Sequence, residues 1–239
     1  MNIALIFAGG VGKRMNLNGL PKQFLLVNNK PILIHTLEKF QNNSNIDKII
    51  LVSVSSHINF CKDLIDKYKI SKITKIVEGG FTGQESIFNG LNTLRNEASS
   101  NDIVLIHDGV RPVINNKLID DNIESVKIYG NAISCSPAIE TIAMFSNNVI
   151  TNIVPRDKCI IAKAPQSFYY QDIISVHDKA RQENYLEAID SASLMSHYGH
   201  ELHYVNCSPM NIKITTPSDY YIFKGLLESE NTLEILGLI

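Results

Sequence analysis

The sequence predicts an α/β protein, a mostly parallel sheet with helices on both faces. Short apolar, β-rich runs alternate with longer amphipathic segments as far as residue 134, the signature of parallel strands joined by helical crossovers. The run at 103–106 is apolar throughout, as expected of a strand buried on both faces. The chain has 239 residues, 44% of them hydrophobic, which is enough for one packed domain spanning 1–239.

The strands and helices follow in order. Residues 3–7 read as the first strand, and 32–40 as a helix with Ile32, Leu33, Thr36, Leu37 and Phe40 near one face. A strand at 49–54, a helix at 58–68, a strand at 73–77, a helix at 85–94 and the strand at 103–106 continue the alternation, followed by a helix at 117–128 and a strand at 132–134. Right-handed crossovers place the loops that follow these strands on one edge of the sheet. Residues 138–162 break the rhythm. The pieces 140–145 and 149–153 are short and extended around a turn at 146–148, and read as a β-hairpin arm projecting from the sheet. Helices are expected at 172–182 and 190–197, and strands at 202–205 and 212–215. A last helix over 218–228 has Pro217 in its first turn and Thr216 as its cap.

A formal net charge of -2 gives no general attraction to nucleic acid or to an anionic membrane. No apolar run is long enough to span a bilayer, and the short apolar start lacks the basic flank of a signal peptide. Cys61, Cys135, Cys159 and Cys207 are widely spaced with no CxxC pair, which fits free thiols in a reducing cytoplasm.

Two loops carry chemistry. The first is Ala8-Gly9-Gly10-Val11-Gly12-Lys13-Arg14-Met15, directly after a strand. Its glycines let backbone N–H groups approach phosphate oxygens. It is not a dinucleotide fingerprint, because Met15 stands where the third glycine belongs. Nor is it a Walker A loop, because Phe7 and Arg14 occupy a glycine and a Ser/Thr position. Arg14 and Lys22, the latter in Leu20-Pro21-Lys22-Gln23, supply cations able to clamp a triphosphate. The second loop, His107-Asp108-Gly109-Val110-Arg111-Pro112, follows the apolar strand. Asp108 there either holds Mg²⁺ against phosphate or pairs with Arg111 to shape the turn. The seven histidines show no metal-binding spacing, and His107 reads as a structural strand-end residue.

Taken in order, A-G-G-x-G-x-R-M, L-P-K-Q, H-D-x-x-R-P and N-I-K-I-T-T-P resemble the polyol-phosphate cytidylyltransferases, the enzymes of D-ribitol 5-phosphate and of 2-C-methyl-D-erythritol 4-phosphate. The resemblance runs over nearly the whole chain and implies a Rossmann-like nucleotidyltransferase fold. By the same resemblance the first loop, with Gly10 and Gly12, wraps the phosphates of CTP, and Arg14, Lys22 and Lys213 are the catalytic cations. Backbone at Ala8, Gly9 and Gly80, with the Ser86 hydroxyl, reads the cytosine. Asp108 lies near the ribose and the Mg²⁺. Arg111, Thr141 and Arg156 hold the acceptor, the last two on an arm that joins a homodimer.

The sequence departs from the family pattern at Gly83, where arginine is common, and at Ala164 and Ile189, where hydroxyls are common. The phosphate clamp is left whole. The expected reaction is CMP transfer from CTP to a polyol phosphate with release of pyrophosphate. D-ribitol 5-phosphate is placed ahead of methylerythritol 4-phosphate as acceptor because of the Leu20–Phe24, Lys30–Phe40 and Val110-Arg111-Pro112 segments. A non-catalytic CTP-binding protein is the alternative from another class.

Overall fold

The structure, a computed structural model, describes residues 1–9 and 21–235, with side chains through residue 229. Its strands and helices are β1 (Asn2–Ala8), β2 (Leu26–Val27), β3 (Lys30–Pro31), α1 (Ile32–Gln41), β4 (Lys48–Ser53), α2 (Ile58–Tyr68), β5 (Ile73–Glu78), α3 (Gly83–Asn92), β6 (Ile103–Asp108), α4 (Asn116–Tyr129), β7 (Asn131–Pro137), β8 (Ile142–Ser146), β9 (Val149–Val154), β10 (Ile160–Tyr169), α5 (Tyr170–Gln182), α6 (Ser191–His197), β11 (Tyr204–Asn206) and α7 (Pro217–Ile235). Seven strands form the main sheet in the order β11-β7-β10-β6-β1-β4-β5.

β1 lies inside the sheet, parallel to β4 on one side and β6 on the other. Side chains alternate across a strand, so β1 feeds two cores. Ala4 and Ile6 join Leu33, Leu37, Phe40, Cys61, Leu118 and Ile123 from α1, α2 and α4 on one face. Ile3 and Leu5 join Ile87, Leu91, Ile173, Ile174 and Leu194 from α3, α5 and α6 on the other. This is why β1, β4 and β6 read as continuous apolar runs. After β1 the chain builds outward through β4 and β5, then returns to the opposite side as β6. The reversal opens a crevice at the C-terminal ends of β1 and β6, where sheets of this kind bind ligands.

Three differences from the sequence expectation bear on the cleft. β10 is a ten-residue strand, antiparallel to both β6 and β7; Pro165 disguised it, because proline cannot donate to a ladder. The register breaks between Ala162 and Gln166, and the proline sits inside that irregularity. Residues 212–215 are not a strand: Ile214 makes a single backbone bond to the Val110 carbonyl, 2.9 Å, and only Asn211 and Ile214 are buried there. α3 starts two residues before the expected helix, because the Thr82 hydroxyl accepts the Glu85 N–H and caps it. β8 and β9 pair with each other in a separate two-stranded ribbon, as the turn at Asn147–Asn148 suggested.

Candidate functional site

A cleft of about 290 Å³ lies on the crevice. Its lining comes from the ends of β1 (Phe7) and β6 (Ile106, Asp108), the break in β10 (Ala162–Gln166), the start of α3, residues 188–191 and Lys213.

Asp108 sits at the centre. It is the last residue of β6, in register with Phe7 of β1. One carboxylate oxygen accepts the Lys213 ammonium at 2.6 Å and the other accepts Arg111 Nε at 3.1 Å. The Asp108 and Arg111 side chains are 7% and 9% exposed, and that of Lys213 is 41% exposed. Burial pushes the Asp108 pKa up, but the two cations outweigh it and hold the carboxyl below its ordinary range. Of the two sequence readings of the H-D-x-x-R-P turn, the pairing of Asp108 with Arg111 is present, and the pair lines the cleft. Arg111 also donates from Nη1 to the Asn211 carbonyl at 2.6 Å, tying the segment before Lys213 to the turn after β6.

His107 points away from this chemistry. It is fully buried and donates from Nε2 to the Arg111 carbonyl at 3.0 Å. Burial lowers its pKa to about 4, so the ring is neutral at pH 7, in keeping with a structural strand-end role.

The loop between β5 and α3 packs against the end of β1. Ser86 is buried; its hydroxyl donates to the Thr82 carbonyl at 2.9 Å and accepts the Gly80 N–H at 3.0 Å. A Cβ on Gly9 or on Gly79 would stand 3.1 Å from Ser86 Oγ. The end of β1 and the loop after β5 approach each other this closely because both lack side chains. Ala8, Gly9, Gly80 and Ser86 are thus gathered at one point. Lys22 lies in a 3-10 turn (Lys22–Phe24) whose neighbour Gln23 is buried and donates from Nε2 to the Ala8 carbonyl at 2.7 Å. That bond seats the P-K-Q turn against the end of β1. Gly10, Gly12 and Arg14 lie outside the described residues.

Thr141 and Arg156 are not brought to this cleft within one chain. Both are exposed and lie at the same end of the β8–β9 ribbon, its base, where Ile142 pairs with Val154, and Arg156 donates to the Ile139 carbonyl at 2.9 Å.

Several cleft residues escaped the sequence reading. Gln84 donates to the Tyr185 carbonyl at 2.9 Å and accepts the Ala188 N–H at 3.0 Å. Gln166 donates to Asp190 at 2.8 Å and accepts the Ala192 N–H at 2.8 Å. The two amides clip residues 185–192 over the cleft, and leave Ile189 exposed on its lip. Lys163 is half-buried in the break of β10, and burial lowers its pKa. The available signal was a polar residue inside an apolar run, as at Gln166 in A-P-Q-S-F, but it gave no direction. Among the described residues no cluster of three or more His, Cys, Asp or Glu is placed to hold a metal by itself. All four cysteines are free.

Comparison with known proteins agrees with this geometry. The family described as IspD, 2-C-methyl-D-erythritol 4-phosphate cytidylyltransferase, matches residues 2–229. A ribitol-5-phosphate cytidylyltransferase of Vibrio parahaemolyticus is 49% identical over 99% of this chain and 100% of its own length. One from Streptococcus agalactiae serotype V is 46% identical over the full length of both. A 2-C-methyl-D-erythritol 4-phosphate cytidylyltransferase of Clostridium novyi is 39% identical over 97% of this chain and 98% of its own. Among solved structures, the Francisella tularensis 2-C-methyl-D-erythritol 4-phosphate cytidylyltransferase superposes with a TM-score of 0.78 at 30% identity, covering 93% of this chain and 99% of that one. The 4-diphosphocytidyl-2C-methyl-D-erythritol synthase of Anaerococcus prevotii gives a TM-score of 0.82 at 26% identity, covering 95% and 96%. The motifs, the mostly parallel sheet with its cleft at the β1–β6 reversal, and these full-length matches place the chain in the IspD family of cytidylyltransferases.

Proposed function

We propose that this protein transfers CMP from CTP to D-ribitol 5-phosphate, releasing pyrophosphate. The observation that carries the reading is the buried Asp108, bridged by Arg111 and Lys213 on the cleft at the sheet reversal. The acceptor is taken from the relatives at 46–49% identity, which are named for ribitol 5-phosphate.

The reaction suits these residues. A phosphate oxygen of the acceptor attacks the α-phosphorus of CTP in line with the leaving pyrophosphate. Negative charge spreads over the equatorial oxygens, so placement and cations supply most of the catalysis. Lys213 and Lys22 are assigned to that charge, with Arg14 from the first loop. The nucleophile is already an anion and needs no general base; the neutral, buried His107 is consistent with this. Backbone at Ala8, Gly9, Gly10, Gly12 and Gly80, with the Ser86 hydroxyl, is assigned to the nucleotide.

Mg²⁺ fits the site as a substrate-borne ion. Asp108 is ionised, and each of its oxygens keeps a second lone pair beside the cation it already binds. A single carboxylate with substrate phosphates is a common Mg²⁺ environment. The ion would neutralise charge on the triphosphate.

The β8–β9 ribbon is read as a dimer arm. Met144, Phe145, Val149, Ile150 and Ile153 are exposed along it, an apolar surface that a twofold partner would cover. Thr141 and Arg156 are then delivered to the acceptor phosphate of the facing subunit, and Arg111 supports the acceptor from within. No helix of the described residues is long and apolar enough to cross a membrane, and a cytoplasmic enzyme is the reading adopted. Methylerythritol 4-phosphate is the second acceptor considered, because the matching family carries that name.

The test is pyrophosphate release with CTP and Mg²⁺, offering ribitol 5-phosphate, methylerythritol 4-phosphate and glycerol 3-phosphate in parallel. Preferred turnover with ribitol 5-phosphate is expected. Preference for methylerythritol 4-phosphate would reassign the acceptor. CTP binding without turnover of any acceptor would make this a non-catalytic relative.

A further inference from the structure

Residues 209–214 carry Lys213 but belong to no strand or helix. The stretch needs some other hold if Lys213 is to sit reproducibly on Asp108. β10 supplies it at the place where its pairing with β7 breaks, between Ala162 and Gln166. Such irregularities re-aim side chains, and here Lys163 turns into the cleft. Its ammonium donates to the Pro209 carbonyl at 2.7 Å and to the Asn211 carbonyl at 3.4 Å. Arg111 Nη1 donates to the same Asn211 carbonyl at 2.6 Å. In return the Asn211 side chain donates to the Ala164 carbonyl at 2.7 Å. Two cations and one amide therefore stitch residues 209–211 to β10 and to the turn after β6.

We propose that Lys163 is a positioning residue for Lys213: by holding the 209 and 211 carbonyls it fixes the backbone from which Lys213 reaches Asp108. Two of the three ammonium protons of Lys163 are directed at backbone, so it acts through Lys213 rather than on substrate. Hydrogen bonds from a charged donor to backbone are among the stronger ones in a protein, and a shift of about 1 Å in a catalytic group is enough to cost large factors in rate. The catalytic half of the inference rests on the cytidylyltransferase reading; the structural half does not.

The test therefore has two arms. In the first, amide hydrogen exchange is followed in wild type and in Lys163→Met, which keeps the aliphatic stem and removes the donors. Amides at 211–214 should exchange about tenfold faster or more, while those of β6 stay unchanged. If β6 also loosens, Lys163→Gln, which retains a donor, is compared in its place. In the second arm, Lys163→Met should lower kcat about tenfold with the KM for CTP changed less than about threefold, and Lys163→Arg should restore most of the loss. Added to Lys213→Ala, Lys163→Met should cost nothing more, because the group it positions is gone. Unchanged exchange at 211–214 overturns the inference whatever the activity. Fully additive losses in the double variant overturn it as well. A wild-type enzyme silent with every acceptor refutes the proposed function, and the exchange comparison still decides the role of Lys163 in the backbone.

Discussion

At the floor of the cleft, Asp108 carries Lys213 on one oxygen and Arg111 on the other, and Arg111 in turn holds the Asn211 carbonyl. On the β8–β9 ribbon, Phe145 is 75% exposed, and Met144, Val149 and Ile150 stand in solvent beside it. The floor pairs the charge of Asp108 within one chain; the ribbon leaves apolar surface uncovered. The contrast divides the proposed reaction. Asp108, Arg111 and Lys213 meet within a single protomer, whereas on the proposed reading Thr141 and Arg156, at the base of the ribbon, find their target in a second molecule.

The largest effect that would test this division is expected at Asp108. Asp108→Asn keeps the shape but leaves the buried Arg111 without its counter-charge, at a cost of about 3 kcal/mol in unfolding free energy. Urea titration at pH 7 measures it. An unchanged midpoint would mean that the floor is not held by its charges.

Next is Lys213→Ala. Stability should change little, because that side chain is 41% exposed, but turnover should fall by ~10²-fold or more if a transition-state cation is lost. Steady-state kinetics with CTP and ribitol 5-phosphate decides this.

Acid provides a third probe. His107 and His177 are buried, and burial holds each near a pKa of about 4. Their unfolded pKa is about 6.5. Between these values the unfolded chain binds more protons than the folded one, so stability falls as pH drops from about 6.5 toward 4. At pH 5 the loss should be on the order of 2 kcal/mol per histidine. His177→Leu should flatten the dependence, since both of its ring nitrogens lack partners. The Asp108 contribution follows at lower pH: present above the ordinary carboxylate range, it is lost as pH falls through the depressed pKa of the folded state.

The smallest effect belongs to the ribbon. Arg156→Ala should raise the acceptor KM roughly tenfold, the worth of a charge-assisted contact to phosphate, and leave the KM for CTP nearly unchanged. If only the CTP value moves, the ribbon does not serve the acceptor.

Much of this molecule could be read from the sequence, and the exceptions share a cause. α2 falls on residues 58–68 as its spacing indicates, because one apolar stripe is all that helix needs. β10 stayed hidden because Pro165 broke the strand pattern and because its antiparallel direction depends on its neighbours. Residues 212–215 looked like a strand from two isoleucines, yet only Ile214 is buried. Asp108, Arg111 and Lys213, which the structure brings together, were singled out through ordered motifs. The roles of Gln23, Gln84, Lys163 and Gln166 were not, because each holds backbone distant in sequence. Such roles exist only after the chain has folded.

The glycines around the nucleotide wall differ in how much change they permit. A methyl group at Gly9 or Gly79 would crowd Ser86, while a Cβ at Gly83, in the first turn of α3 and on the cleft lip, meets nothing within 4 Å. The stretch between β5 and α3 is thus closed to variation at its start and open to it at Gly83. A library at position 83 therefore offers a place to graft side chains onto the lip of the cleft and select for altered base or acceptor preference without crowding the residues around it.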